Sequence, residues 1–204
     1  DDPNTNPELY DRFIAAAAAD ALSELAAWYC WHASRRQAML EAVWERHGAF
    51  VHQTVLWVKN RPVLTRSWYM WRHEPCFFGW LKGKRPKRVS AEVLPNVWEA
   101  STVGSATDAE HPTSKPVELF AVPMRQHTDP GDLCYEPFSG SGSQLIAAEQ
   151  LGRRCRAIEI EPVYVDVAVR RWQALTGRDA VLEGSGQTWS RRAREAKVRV
   201  GKDA

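Results

Sequence analysis

The stretch from Leu133 to Glu159 constrains the fold more than any other part of this 204-residue chain. Leu133-Cys134-Tyr135-Glu136 reads as a short strand that ends in an acid, and Pro137-Phe138-Ser139-Gly140-Ser141-Gly142 as a glycine-containing turn. Residues 143–151 then carry helical periodicity, and 154–159 read as a second strand ending in Glu159. Two short strands joined by a helix fit a parallel crossover pair, so this segment indicates an α/β layer architecture.

The rest of the chain extends the alternation. Helices are expected over 7–27 (Leu9, Phe13, Ala17, Leu22 and Leu25 at helical spacing), 35–47 with Gly48 as its stop, 115–127 and 162–176. Strands are expected over 28–32, 50–58, 74–80, 96–98, 132–136 and 179–182. The predicted fold is α/β, a doubly wound and mainly parallel sheet of Rossmann-like type. Residues 1–182 form the predicted domain, with a variable segment over 82–110 and a ligand-binding half over 111–182. Residues 183–204 are read as a basic, flexible tail. Trp28, Trp31, Trp44 and Trp57 are assigned to the core. Trp68, Trp71 and Trp98 flank the variable segment and are candidates for stacking on bases, with Lys59, Arg61, Arg66 and Arg72 as candidate phosphate contacts.

Composition removes several classes. The uncharged apolar run around Ile14 to Ala19 reaches only seven residues with Phe13, against roughly 20 needed to cross a bilayer. Four widely spaced cysteines in apolar surroundings are read as reduced thiols of a cytoplasmic protein. Cys30 with His32 and His73 with Cys76 have poor zinc spacing, so no metal is expected. The net charge of +2 hides an uneven distribution. Lys82 to Arg88 holds five basic residues in seven, and Arg191, Arg192, Arg194, Lys197, Arg199 and Lys202 cluster near the C-terminus. Basic patches on an otherwise acidic body suit a polyanion.

The two strand-end acids indicate the ligand. Glu159 follows Gly142 by seventeen residues, the distance at which nucleotide-binding units place a ribose-binding carboxylate. A dinucleotide would bring its pyrophosphate against Glu136, which repels it. S-adenosylmethionine brings a sulfonium and an ammonium group, which Glu136 attracts. Leu145 also stands where a GxGxxG loop would place its last glycine. Upstream, His111-Pro112-Thr113-Ser114-Lys115-Pro116 offers two hydroxyls and a cation that could hold the ligand's carboxylate.

In this order, HPTSKP (111–116), EPFSGSG (136–142) and AIEIEPVYVDVAVRRW (157–172) resemble the β-group of DNA amino-methyltransferases. WYCWH (28–32), VLWVKN (55–60) and WRHEPCFFGWLKG (71–83) resemble later sheet strands of the same family, most closely its phage and prophage-type members. The resemblance spans residues 1–182. It implies the class I methyltransferase fold and methylation of the exocyclic N6 of adenine or N4 of cytosine in double-stranded DNA. Adenine is the commoner target, and the base is flipped out of the duplex. S-adenosyl-L-methionine is the implied cofactor. Its implied contacts are His111, Thr113, Ser114, Lys115, Glu136, Pro137, Phe138, Gly140, Ser141, Gly142, Glu159, Ile160 and Pro162, with Tyr164 beside the adenine. Glu136 stands where the family commonly has the shorter Asp. A homodimer, or a partner protein of a restriction or phage system, is compatible with the resemblance.

One family element is missing. The catalytic tetrapeptide, Asp/Asn/Ser-Pro-Pro-aromatic, does not occur in these residues; Asp129-Pro130-Gly131 lacks the second proline and the aromatic. The chain begins at Asp1 without Met, so the catalytic strand is expected upstream, and the catalytic residues are unknown from this chain. The competing readings are a non-catalytic cofactor- or nucleic-acid-binding fragment and a nicotinamide enzyme; Glu136 and HPTSKP count against the latter.

Overall fold

A computed structural model of the chain describes residues 7–64, 66–101 and 114–200, with backbone alone for 196–200. The first element, α1 (Pro7–Ala16), continues as a π-helical turn over Ala17–Ala21 and then stops. The helix therefore ends six residues short of the expected boundary at 27. The alanine run after Ile14 offers almost no side chain to bury. Leu22 turns to an extended conformation (φ −108°, ψ 138°), which lays Leu22 and Ala26 against the core.

β1 (Trp28–Trp31), α2 (Gln37–Arg46) and β2 (Ala49–Val63) follow. On α2, Leu40, Val43 and Trp44 are buried at the i, i+3, i+4 spacing of one helix face. Gly48 takes φ 79° at the stop, where its N–H bonds the Glu45 carbonyl at 3.1 Å. The Trp44 Nε1–H donates to the Tyr10 hydroxyl at 3.0 Å, so this large ring is buried with its polar atom satisfied. Trp28, Trp44 and Phe77 meet edge to face, forming the first core with Ile14, Leu40, Val43 and Ala49. Trp28, Trp44 and Trp57 are buried as expected, and Trp31 half-buried.

β3 (Trp71–Leu81) lies antiparallel between β1 and β2, and β4 (Val97–Ala100) pairs in parallel with the far edge of β2, giving the order β1-β3-β2-β4. Residues 64–70 are too short a link to return the chain in parallel, so β3 must reverse. That reversal is the departure from the mainly parallel expectation: the described ladders are two parallel and two antiparallel. The α/β class itself holds, with β1-α2-β2 and β5-α4-β6 as its strand-helix-strand units. Pro75 is tolerated inside β3 because its carbonyl accepts from His32 N–H where β1 has just ended. The donor that proline lacks has no strand to reach on that side.

The second half contains α3 (Glu118–His127), β5 (Leu133–Glu136), α4 (Ser143–Gln150), β6 (Arg154–Ala157) and α5 (Pro162–Thr176). β5 and β6 form a separate parallel pair. Ala121, Met124, Ala147 and Ala148 make a second core where α3 packs on α4. The two halves are tied by the Tyr29 hydroxyl to His127 Nε2 at 3.0 Å and by the Phe13 and Phe138 rings at 5.0 Å.

The segment 179–182 is reduced to a single bridge, Val181 to Thr188, rather than a strand. The expected flexible tail is instead helical over α6 (Trp189–Val200). Asp179 caps that helix through Ser190, and Trp189 N–H bonds the Ala180 carbonyl at 2.8 Å. Among the described residues, no helix is long and apolar enough to cross a membrane, and no group of three metal-ligating side chains converges. All four cysteines are free, and burial pushes the Cys76 and Cys155 thiols upward, Cys155 to about 12.

Candidate functional site

The site grows from the end of β5. There the Glu136 carboxylate turns back and its Oε1 accepts from Phe138 N–H at 2.8 Å, which curls the following loop over it. Two residues then take left-handed backbone, Gly140 at φ 52° and Gly142 at φ 79°. A Cβ on Gly142 would stand 2.7 Å from the Ala168 Cβ, so only glycine lets α5 pack this closely against the start of α4.

Glu159, just past β6, binds the same loop from the other side. Its Oε2 accepts from Gly140 N–H at 2.6 Å and its Oε1 from Glu161 N–H at 2.9 Å. Both strand-end acids named from the sequence therefore converge on one loop. Burial raises the Glu136 carboxyl above its ordinary range. The Glu159 charge adds to that rise, while Phe138 N–H and Lys115 oppose it. Phe138, Ile158 and Ile160 project apolar surface around the loop, Ile160 being 89% exposed.

The segment before α3 closes the site. Ser114 Oγ lies 2.8 Å from Ser141 Oγ, and Ser143 Oγ donates to the Lys115 carbonyl at 2.7 Å. Lys115 Nζ reaches Glu74 of β3 at 3.3 Å and sits 6.0 Å over the Trp31 ring. Lys59 takes the other Glu74 oxygen at 2.7 Å. Burial would raise the Glu74 carboxyl, but the two lysines outweigh it and hold it below its ordinary range.

The structure thus brings together Ser114, Lys115, Glu136, Pro137, Phe138, Gly140, Ser141, Gly142 and Glu159. Pro162 opens α5 at its first turn, with Ile160 and Tyr164 beside it. His111 and Thr113 lie outside the described residues.

Sequence reasoning missed Arg171, which donates from α5 to the Ser141 carbonyl and hydroxyl at 2.8 Å each and to Ser143 Oγ at 3.3 Å. The signal was a cation at the i+3/i+4 position after buried Val167 and Ala168. It also missed Ser139, whose Oγ is buried with no hydrogen-bond partner among the described residues.

The basic cluster at 82–88 does not stand free. Lys84 pairs with Glu24 at 2.6 Å, Lys87 with Asp129 and Asp132 at 2.7 and 2.8 Å, and Arg88 donates to the Glu92 carbonyl at 2.6 Å. Trp98 is half-buried and packs near Tyr29 and Trp31 rather than standing clear.

Comparison with known proteins fits this geometry. The N6_N4_Mtase family, described as DNA methylase, matches residues 28–170. The type II methyltransferase M2.MboI of Moraxella bovis is 36% identical over 83 residues, covering 40% of this chain and 30% of that protein. M2.DpnII of Streptococcus pneumoniae is 26% identical over 145 residues, 64% of this chain and 54% of that one. The chain spans between about a third and a half of the length of these curated relatives. Among solved structures, the M1.HpyAVI–SAM complex superposes with a TM-score of 0.70 at 25% identity, over 83% of this chain and 84% of that one. The PvuII cytosine-N4-specific DNA methyltransferase superposes at 0.70 with 18% identity, over 81% and 70%, a likeness of fold. The family match runs across both cores and through the glycine loop to α5, and this chain belongs to the N6/N4 family of DNA methylases.

Proposed function

We propose that the loop between β5 and α4 binds S-adenosylmethionine, and that the protein methylates an exocyclic amine of double-stranded DNA, adenine N6 in preference to cytosine N4. The observation that carries this reading is the convergence of Glu136 and Glu159 on one glycine loop. Glu136 suits a ligand with a sulfonium and an ammonium group and repels a pyrophosphate, while Glu159 suits a ribose. The residues present fit. A carboxylate has about four accepting positions; backbone N–H groups occupy two on Glu159, leaving two for the ribose hydroxyls. The unpartnered Ser139 Oγ is a buried polar atom awaiting a hydrogen bond of this kind.

Bound there, the cofactor supplies an electrophilic methyl group on sulfur. Glu136 would hold the charged end of the cofactor, and Phe138, Ile160, Pro162 and Tyr164 would flank its adenine. Ser114, Lys115 and Ser141 would hold the carboxylate end. Arg171 keeps the loop exit fixed through Ser141 and Ser143.

An exocyclic amine is a weak nucleophile because its lone pair is delocalised, so an acceptor must draw off its protons while the flipped base is stacked. The Pro-Pro-aromatic segment that would do this is absent from residues 1–204. The sheet is divided where such a strand would fit. Among the described residues, β1 and β5 are both unpaired on one edge, yet Cys30 of β1 is close enough that the Glu136 charge, after burial, helps raise its thiol. We propose that a catalytic strand of this kind completes the sheet there.

The reading is tested by incubating the protein, with such a catalytic strand present, with methyl-tritiated S-adenosylmethionine and unmethylated duplex DNA, then separating the nucleosides. Label in N6-methyladenine is expected. Label in N4-methylcytosine contradicts the choice of base, and no label in DNA contradicts the activity.

A pH effect follows from Glu136. Its pKa is raised in the fold, so the folded chain holds this proton more tightly than the unfolded chain does. The stability this confers is full below the ordinary value of 4.5 and falls as pH rises from there through the raised folded value. Glu136→Gln keeps the acceptor for Phe138 N–H and removes the penalty. The variant is expected to melt higher than the parent at pH 7, converge with it near pH 4, and bind S-adenosylmethionine more weakly.

A further inference from the structure

The long arm formed by β2 and β3 has no role in the site so far described. Trp57 and Cys76 are buried in the sheet, but every described residue from Asn60 to His73 is exposed. The ladder loosens after Val58 and His73 and is last paired at Val63 and Trp71. Between those pairs β2 advances five residues and β3 only two, so β2 bulges and the arm continues past the regular ladder by two β3 residues, roughly 7 Å, before the chain turns. At its tip Trp68 is 100% exposed, Tyr69 89% and Leu64 84%, with Met70 and Trp71 beside them. Such a cluster of large apolar side chains in water marks a contact surface.

Its charge identifies the partner. Arg61, Arg66 and Arg72 are exposed on the arm, and no acid occurs between Lys59 and His73. The Lys82 to Arg88 cluster, by contrast, has acidic neighbours at Lys84 and Lys87 and lies beyond the other end of β3. The arm also stands on the correct edge. β1 and β2 both run against β3 and so end on the same side. Lys115 joins that edge to the glycine loop, reaching Glu74 at the base of the arm while its carbonyl accepts from Ser143.

We propose that the tip of this arm is a DNA wedge: Trp68 and Tyr69 insert against the bases of the duplex while Arg61 and Arg66 grip the flanking phosphates. This rests on DNA being the substrate. The division of labour is that of a basic-aromatic contact. Cations supply salt-dependent affinity, and the rings stack on bases partly unstacked by the insertion.

The test is fluorescence anisotropy of a labelled 20-base-pair duplex with the 204-residue chain over a series of salt concentrations. The Arg61→Gln/Arg66→Gln double variant should flatten the slope of log K against log salt by about 1.8, at about 0.9 per phosphate contact. Trp68→Ala should raise the Kd by about tenfold with the slope unchanged, and Trp68→Phe should restore most of the loss. All three positions are exposed, and unchanged melting temperatures confirm folding. If the parent chain binds duplex and both variants match it, the wedge is overturned while the DNA reading stands. If the parent chain binds no duplex at low salt, both fall. If Trp68→Ala instead splits a dimer in sedimentation and leaves DNA affinity intact, the tip is a contact between two copies and the proposal is overturned.

Discussion

Glu159→Ala is expected to weaken S-adenosylmethionine binding by at least about 100-fold. Hydrogen bonds to a charged acceptor contribute about 1.5–3 kcal/mol each, and two ribose hydroxyls lose theirs together. The same carboxylate also accepts from Gly140 and Glu161 N–H, so its removal loosens the loop that presents the ligand. Glu159→Gln separates the two effects. It keeps the shape and one carbonyl acceptor for the loop but removes the charge, and should weaken binding by about tenfold. Titration calorimetry of parent and variants reads both. Equal affinity for all three would mean that Glu159 only braces the loop.

Gly79→Ala is expected to cost the most stability. Gly79 lies in β3 between Trp28 and Val51, and a Cβ there would fall 2.0 Å from the Phe50 carbonyl oxygen and 3.0 Å from the Trp44 ring. Neither can yield: one is strand backbone and the other a fully buried indole. Overpacking of this kind costs about 3 kcal/mol, or roughly 6–12 °C in Tm for a chain of this size. Gly131→Ala is the contrast. Gly131 has φ 85° with nothing within 4 Å of its missing Cβ, so it should lose only the about 1 kcal/mol of a left-handed alanine. Thermal melts of the two variants distinguish a steric clash from backbone strain.

The two cases also mark what the sequence made legible. Glu136 and Glu159 were readable because a strand-end acid before a glycine turn, and a second acid at the end of the next strand, have few other uses. α5 was readable to the residue: Pro162 fixes its first turn and Gly177, at φ 68°, its end. What escaped depended on tertiary contact. Nothing local shows that Gly79 faces Trp44, or that Arg171 on α5 would reach across to Ser141 and Ser143. The early end of α1 is set by Leu22 and Ala26 finding the core, which outweighs a helical spacing that continues to Leu25. The terminal helix was hidden because its cap, Asp179, lies eleven residues before the serine that it binds.

The cofactor site is the centre of this account. Its most direct test is calorimetric titration of the 204-residue chain with S-adenosylmethionine, and with NAD in parallel. A single site for S-adenosylmethionine with micromolar affinity is expected, lost in Glu159→Ala, with no heat from NAD. Binding of NAD in preference, or S-adenosylmethionine affinity that survives Glu159→Ala unchanged, would contradict it.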